Sequence, residues 1–248
     1  MFQLYDAAAG RAEPVRPARQ GELRIWVAGQ VASPLLDAVQ LRAALAADLV
    51  RRVAERHHLR VTAWHQAPGE EATSPATDRA HALRAAWDGL NIHPAEFAAS
   101  PADPLDVAVA RGGQPDGSAG YRLEPGEVRP EAPDGAGLDP LALRLALLEH
   151  RYRERAALSR DVLAAADQTL RRWREQVAAW ARSPSRPMGA EYTSDVLGAL
   201  DDDLDSPAAV RSLHALAADA ELPPGAQFEA FAYLDQLVGL DLARDVGR

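Results

Sequence analysis

From residue 112 to residue 140 the chain reads GGQPDGSAGYRLEPGEVRPEAPDGAGLDP, dense in Gly and Pro and poor in large apolar side chains. Such a stretch sustains neither helical nor strand periodicity and reads as a linker over 112–138. The patterning on its two sides differs. Before it, ELRIWVAG (22–29) alternates and then runs apolar into a Gly, the mark of a buried strand and a turn. Leu35 to Arg56 places Leu36, Val39, Leu41, Leu45, Leu49, Val50 and Val53 on one helical face, with Arg42, Arg51, Arg52 and Glu55 largely on the other. LRVTAW (59–64) is a second strand, so this half is a βαβ unit that favours a parallel sheet. A further helix over 78–90 carries Leu83, Trp87 and Leu90, and NIHPAEF follows as a turn. After the linker the pattern is helical at 139–154, 159–182, 192–201, 206–220 and 225–238, with Ser206 expected as N-cap and Pro207 in the first helical position.

Residue types that are missing limit the chemistry. There is no Cys, which excludes disulfides, thiolate nucleophiles and zinc sites built on Cys. There is no Lys either, so all 27 basic side chains are Arg and any reaction through an ε-amine is excluded. A net charge of −9 argues against a general nucleic-acid binder, which needs a positive face. With 47% hydrophobic residues the chain can bury a core without staples. Neither a signal-like segment nor an apolar run of roughly 20 residues is present, so a cytoplasmic protein with no membrane partner is expected.

Three stretches, in order, resemble the cysteine-activating class I ligases, the family of cysteinyl-tRNA synthetase and the mycothiol-pathway cysteine ligase. They are LYDAAAGRAEPVRP with ELRIWVAGQVASPLLDAVQLRAALAADLVRRV; LDPLALRLALLEHRYR with RDVLAAADQTLRRWR; and LDDDLDSPAAVRSLHAL with LVGLDL. The resemblance implies an α/β fold: a truncated Rossmann-like, class I aminoacyl-tRNA synthetase-like lobe at 1–111, the linker at 112–138, and an all-helical bundle at 139–248. It also implies that the second half of the nucleotide-binding fold, further zinc ligands and the KMSKS loop, which relatives place between about Arg111 and Leu138, are missing. The expected exposed sheet edge would then need a cover, for which oligomerisation is the candidate. The short tail after LVGLDL implies the mycothiol-ligase side of the family.

In the register of that resemblance the HIGH-like positions fall on Asp37, Ala38, Val39 and Gln40, so an imidazole has become a carboxylate and a Gly a branched Val. The first zinc-binding Cys falls on Ala28, the KMSKS-like segment on Ala119 to Leu123, where Arg122 is the one cation, and the acidic TDVDD-like segment on HQAPGEEAT. Donors to the developing phosphate charge and the soft ligand for a substrate thiolate are both replaced. The expectation is a degenerate paralogue without ATP or zinc as cofactor, unable to form cysteinyl adenylate, acting as a binding or regulatory module with no catalytic or metal residues. Expected partners are a second copy of the chain or a full-length ligase paralogue. Alternatives are an enzyme with altered small-molecule chemistry in the old cleft, whose candidate ligand-binding residues are Gly29, Asp37, Gln40, His65, Gln66 and Arg122, and a retained ATP-dependent aminoacyl ligase.

Other motifs have plainer readings. His57-His58 would need a third ligand such as His65 or His81 to hold a metal, and reads instead as a helix end where His complements the dipole. Glu70-Glu71 and Asp201 to Asp203 read as a solvated loop and a helix junction rather than a cation site. Ser33, Asp37 and His65 lack the nucleophile elbow of a hydrolase triad, and GGQPDGSAG lacks the GK[ST] ending of a phosphate loop. Trp173 and Trp180, seven apart, share a helix face as packing residues. Arg144, Arg151, Arg153, Arg155, Arg160, Arg171, Arg172 and Arg174 make the helical half locally basic. They would serve a tRNA-adaptor role, although the acidic chain makes tRNA an unexpected partner.

Overall fold

The N-terminal LYDA segment opens a hairpin of β1 (Gln3–Asp6) and β2 (Arg11–Pro14). Asp6 shapes its turn, accepting the backbone N–H of Ala8 and Ala9 at 3.1 Å each. The computed structural model describes residues 2–29, 38–68, 76–101, 103–110, 119–130 and 137–248. They fall into two units, Met1–Arg129 with Tyr152–Ala157, and Pro130–Arg151 with Leu158–Arg248.

In the first unit the alternating run becomes β3 (Glu22–Val27), followed by α1 (Ala38–Arg56), β4 (Arg60–Gln66), α2 (Ala76–Gly89), β5 (Glu96–Ala98), β6 (Leu105–Val109) and β7 (Ala119–Leu123). The five strands from β3 to β7 form one sheet in the order β5-β4-β3-β6-β7, every adjacent pair parallel. Growth runs from β3 outward to β5, then resumes on the other side of β3, so the strand order reverses between β3 and β6. In open α/β sheets that reversal places a crevice at the carboxyl ends of the strands. The expected βαβ unit is therefore present inside a Rossmann-like sheet. That sheet is fuller than expected: β7 and the short β8 (Val128–Pro130), which forms a two-stranded ladder with β9 (Ala156–Leu158), are built from the stretch read as linker. The first unit accordingly reaches Arg129 rather than residue 111.

The reason is visible at the edge of β7. Ala7 donates its N–H to the Arg122 carbonyl at 2.9 Å, and Arg122 donates its own N–H to Asp6 Oδ1 at 2.9 Å. Tyr121 donates its hydroxyl to the Pro14 carbonyl at 2.7 Å and accepts the Arg16 N–H at 3.0 Å. A strand with only two large apolar residues is thus held by β6 on one side and by the N-terminal hairpin on the other. The β7 edge of the sheet is occupied within the unit. Asp106, buried in β6, makes the second stitch by accepting the N–H groups of Ala18 at 2.7 Å and Arg24 at 2.8 Å.

Helix α1 packs an alanine-rich face, including Ala43, Ala44, Ala46 and Ala47, beside the buried Leu45, Leu49, Val50 and Val53. Ala combines high helical propensity with a small side chain, so the backbone can approach its neighbours closely. Two arginines assigned to the solvent side by periodicity, Arg42 and Arg52, are buried. Arg52 bonds Asp48 at 2.8 Å and the Asn91 carbonyl at 2.7 Å, while Asp48 Oδ1 also accepts the His93 N–H at 2.9 Å and meets His93 Nδ1 at 2.7 Å. This carboxylate pins the 91–93 turn onto the helix, an anchoring that 3.6-residue periodicity does not encode. Burial lowers the Arg42 guanidinium to about 10, with the charge of Glu154 opposing.

The second unit contains α3 (Pro140–Leu148), α4 (Arg160–Trp180), α5 (Ala190–Asp201), α6 (Ser206–Ala218) and α7 (Pro224–Val238), as the helical half was expected to. Its junction differs by one residue: Asp205 is the N-cap of α6, its carboxylate accepting the Ala208 N–H at 3.0 Å, and Ser206 is already helical. Trp173 is fully buried against His214 and Phe231, with ring centroids at 4.7 and 5.9 Å, and Trp180 meets Phe231 at 5.3 Å. Two of the arginines expected to form a basic surface, Arg144 and Arg174, are buried, whereas Arg153, Arg155, Arg160, Arg171 and Arg172 are exposed. Arg144 bonds the Val238 carbonyl at 2.6 Å; Arg174 bonds the carbonyls of Leu240 and Asp241 at 3.0 Å each and Asp139 at 2.6 Å. Arg151 pairs with Asp205, and Arg171 with Asp167 at 2.7 Å. Among the described residues no helix is long and apolar enough to cross a membrane.

Two substitution pairs test these anchors. Asp106→Ala removes the charged acceptor of the Ala18 and Arg24 N–H groups, hydrogen bonds worth about 1.5–3 kcal/mol each; the urea midpoint should drop, and Asp106→Asn, which keeps one acceptor, should recover part of the loss. Gly225→Ala would drive a methyl into the Pro184 carbonyl and should destabilise the helical unit, whereas at Gly198 in α5 an added methyl meets nothing. Gly198→Ala should therefore raise stability by about 0.5–1 kcal/mol, read as a higher thermal midpoint.

Candidate functional site

The crevice predicted by the strand reversal is bordered by Val27, Ala28 and Gly29 at the end of β3 and by His65 and Gln66 at the end of β4. Ala28 donates its N–H to the Val109 carbonyl at 2.9 Å, carrying the β3–β6 pairing past the last strand residue. Gly29 donates its N–H to Gln66 Oε1 at 2.9 Å. One side-chain amide thus ties the end of β3 to the end of β4. A small cavity of about 30 Å³ lies there, walled further by Ala43 of α1, Leu83 and Trp87 of α2, and Phe97 of β5.

His65 is the polar centre of this wall. Its β4 register places it beside Val27 of β3 and Phe97 of β5. The ring is 8% exposed and lies 4.3 Å from the Trp87 ring at 46°. Trp87 in turn stacks on Phe97 at 5.3 Å, and the Arg84 guanidinium caps Phe97 at 4.8 Å. Burial pushes the imidazole down to about 3. At neutral pH it therefore carries one N–H donor and one acceptor nitrogen, without charge. Neither ring nitrogen has a hydrogen-bond partner among the described residues, and the Gln66 amide nitrogen likewise has none.

Three of the sequence candidates, Gly29, His65 and Gln66, are thus brought together. Asp37 lies outside the described residues, as do Ser33 and Glu70-Glu71; of Ala38, Val39 and Gln40 only the backbone, in the first turn of α1, is described. Arg122 does not join the site. The segment placed at the KMSKS-like position is strand β7, separated from β4 by β6 and β3, and its backbone is engaged with residues 6 and 7. Ala28 does line the cavity, where it offers a methyl group.

The other motifs keep structural roles. His57 stacks on Phe2 at 5.5 Å, and His58 ends α1 with φ 62°. His65 stands at the far end of β4 from them, and His81 is exposed on α2. Among the described residues no three His, Cys, Asp or Glu side chains converge to hold a metal ion. Sequence reasoning missed Trp87 and Phe97 as site residues. Trp87 was read as packing and Phe97 as part of a turn; the available signal was that both belong to elements flanking the strand that ends in His65.

No protein-family model matches the chain. It is similar to proteins named L-cysteine:1D-myo-inositol 2-amino-2-deoxy-alpha-D-glucopyranoside ligase. The one from Geodermatophilus obscurus is 40% identical over 114 residues, 44% of this chain and 26% of that protein. The one from Gordonia bronchialis is 37% identical over 111 residues, 43% of this chain and 26% of that protein. In Tsukamurella paurometabola the match is 45% over 82 residues, 33% of this chain and 19% of that protein. The chain thus spans about a quarter of the length of the ligases it matches, or less. Over about two fifths of its length it is a homologue of the cysteine-activating class I ligases.

Proposed function

We propose that the protein is a binding or regulatory relative of the cysteine ligases that does not form cysteinyl adenylate and needs neither ATP nor zinc. The observation that carries this reading is the wall of the crevice: its described side chains include no ionised group, and Ala28 stands where the resemblance places a zinc-binding Cys. Adenylation requires preorganised donors for charge developing on the phosphates, each worth a few kcal/mol of transition-state stabilisation. Neutral His65 and the Gln66 amide are weak substitutes, and the chain has no Lys to add. Zinc would need a soft or imidazole donor set to grip a thiolate, and one buried imidazole beside an Ala methyl is not such a set. In this reading the partner is a second copy of the chain or a full-length ligase paralogue; the acidic balance and the burial of Arg144 and Arg174 speak against tRNA.

The direct test is pyrophosphate exchange into ATP with cysteine, on the purified chain and on the chain mixed with a full-length ligase. The chain alone is expected to give the blank rate, and exchange dependent on cysteine would overturn the reading. The uncharged wall has its own consequence. The His65 imidazole is lowered to about 3 from 6.5 by burial, so the unfolded chain takes up a proton near pH 6.5 that the folded chain refuses. Its contribution to stability is complete above pH 6.5 and is lost as the pH falls from 6.5 towards 3. In urea titrations across that window, His65→Gln should show a shallower acid loss than the parent, by up to one proton.

A further inference from the structure

A buried imidazole ordinarily finds hydrogen-bond partners, because leaving a polar group desolvated and unpaired costs about 1–3 kcal/mol. His65 is more than nine-tenths buried, faces a cavity, and neither of its nitrogens is satisfied among the described residues. The half-buried Gln66 beside it also has an amide nitrogen without a partner among the described residues, and its Oε1 is held by the Gly29 N–H at 2.9 Å, so the amide cannot turn away without losing that bond. Two polar side chains therefore line a space whose other described lining residues are aromatic or aliphatic, or glycine. We propose that this pocket is a ligand site for a small uncharged molecule carrying a hydroxyl or primary-amide head on a short apolar stem, the head hydrogen-bonding to His65 and Gln66 and the stem lying against Trp87 and Phe97. The proposal rests on reading the crevice as a binding site and adds the chemistry of its ligand.

Each part of the specificity has a source in the wall. A neutral imidazole offers one donor and one acceptor, and a hydroxyl or carboxamide complements both at once. A carboxylate can only accept and an ammonium can only donate, so either leaves one nitrogen unpaired. Either would also bring a charge against a lining that has no ionised group among the described residues, and burying an unpaired charge is far costlier than burying a neutral head. Size is limited by Ala43 and Leu83 on the helical side: the cavity of about 30 Å³ takes a polar head as it stands, and a stem of three or four carbons enters with side-chain movement. The Trp87–Phe97 pair at 5.3 Å gives the stem a flat apolar surface and a fluorescent reporter.

The test is a charge series of one shape on the full chain, using isobutanol, isobutyramide, isobutyrate and isobutylammonium at pH 7. Side-chain ¹⁵N spectra of the histidines and Trp fluorescence are the readouts. Isobutanol or isobutyramide should move the His65 ring signals saturably, with the charged pair at least about tenfold weaker. His65→Phe should abolish the saturable response. Equal or tighter binding of a charged member, saturation that persists in a folded His65→Phe protein, or His65 signals that respond to no probe and report a bound water only would each overturn the assignment. The charge series on the parent protein decides the matter even if His65→Phe does not fold. The outcome is also separable from that of pyrophosphate exchange: exchange together with neutral-probe selection would sink the non-adenylating reading and leave the pocket standing, whereas no exchange with no selection would sink the pocket alone.

Discussion

Everything in the first unit is referred to β3. It is the strand from which the sheet grows in both directions, paired with β4 from Glu22 to Val27 and with β6 from Ile25 to Val27. A parallel strand in that position is shielded on both faces, so its side chains must be apolar nearly throughout, and Leu23, Ile25, Trp26 and Val27 meet that demand. The same strand fixes the site. Because the order reverses beside it, its last residues open onto a crevice instead of a neighbouring crossover. Gln66 then has to satisfy the Gly29 N–H that the sheet leaves over. The site's geometry is thus a by-product of finishing the sheet.

The helical unit solves a related problem at a helix end. The last carbonyls of a helix have no partners within it. At the end of α7 the chain turns through Gly239 in the left-handed region, Asp235 accepts the N–H groups of Leu240 and Leu242 at 2.7 and 2.9 Å, and two buried guanidinia take the carbonyls of Val238, Leu240 and Asp241. Arg suits this work because its planar fork can serve several acceptors in fixed directions while keeping its charge. Asp139 balances Arg174 and Arg244. Its own burial works against ionisation, yet the Arg174 hydrogen bond and the charges of both arginines hold it below the ordinary carboxylate range. Arg144 and Arg174 thereby serve as interior connectors in an arginine-rich, lysine-free chain, and counting cations along the sequence overstates the basic surface by these two.

The elements legible in the sequence are those whose own residues determine them. ELRIWV, the apolar face of α1 and the amphipathic α4 carry their periodicity locally, and each forms close to where pattern reading places it. Strand β7 was not legible because AGYRL is a strand through its neighbours. It needs the open edge of β6, the Asp6 carboxylate 116 residues away and the Tyr121 hydroxyl reaching Pro14. Arg42 and Arg52 were misplaced for the same reason, since a helical wheel locates a face but not what covers it. The site divides likewise: His65, Gln66 and Gly29 follow from strand ends, whereas Trp87 and Phe97 enter only through the packing of α2 and β5 onto β4.

That division also separates what the fold fixes at the crevice from what its side chains decide. The connections that hold the crevice open, from Ala28 N–H to Val109 and from Gly29 N–H to Gln66, are mostly backbone and are indifferent to the side chain at position 28. A Cys-to-Ala exchange at such a position removes a potential metal ligand without disturbing the sheet that frames it. Neutral His65 follows the same logic, because its charge state is set by the aromatic and aliphatic shell around it rather than by any ion pair. Side chains at this site can therefore change one at a time while the fold that presents them stays the same, which is why the fold by itself does not state the chemistry.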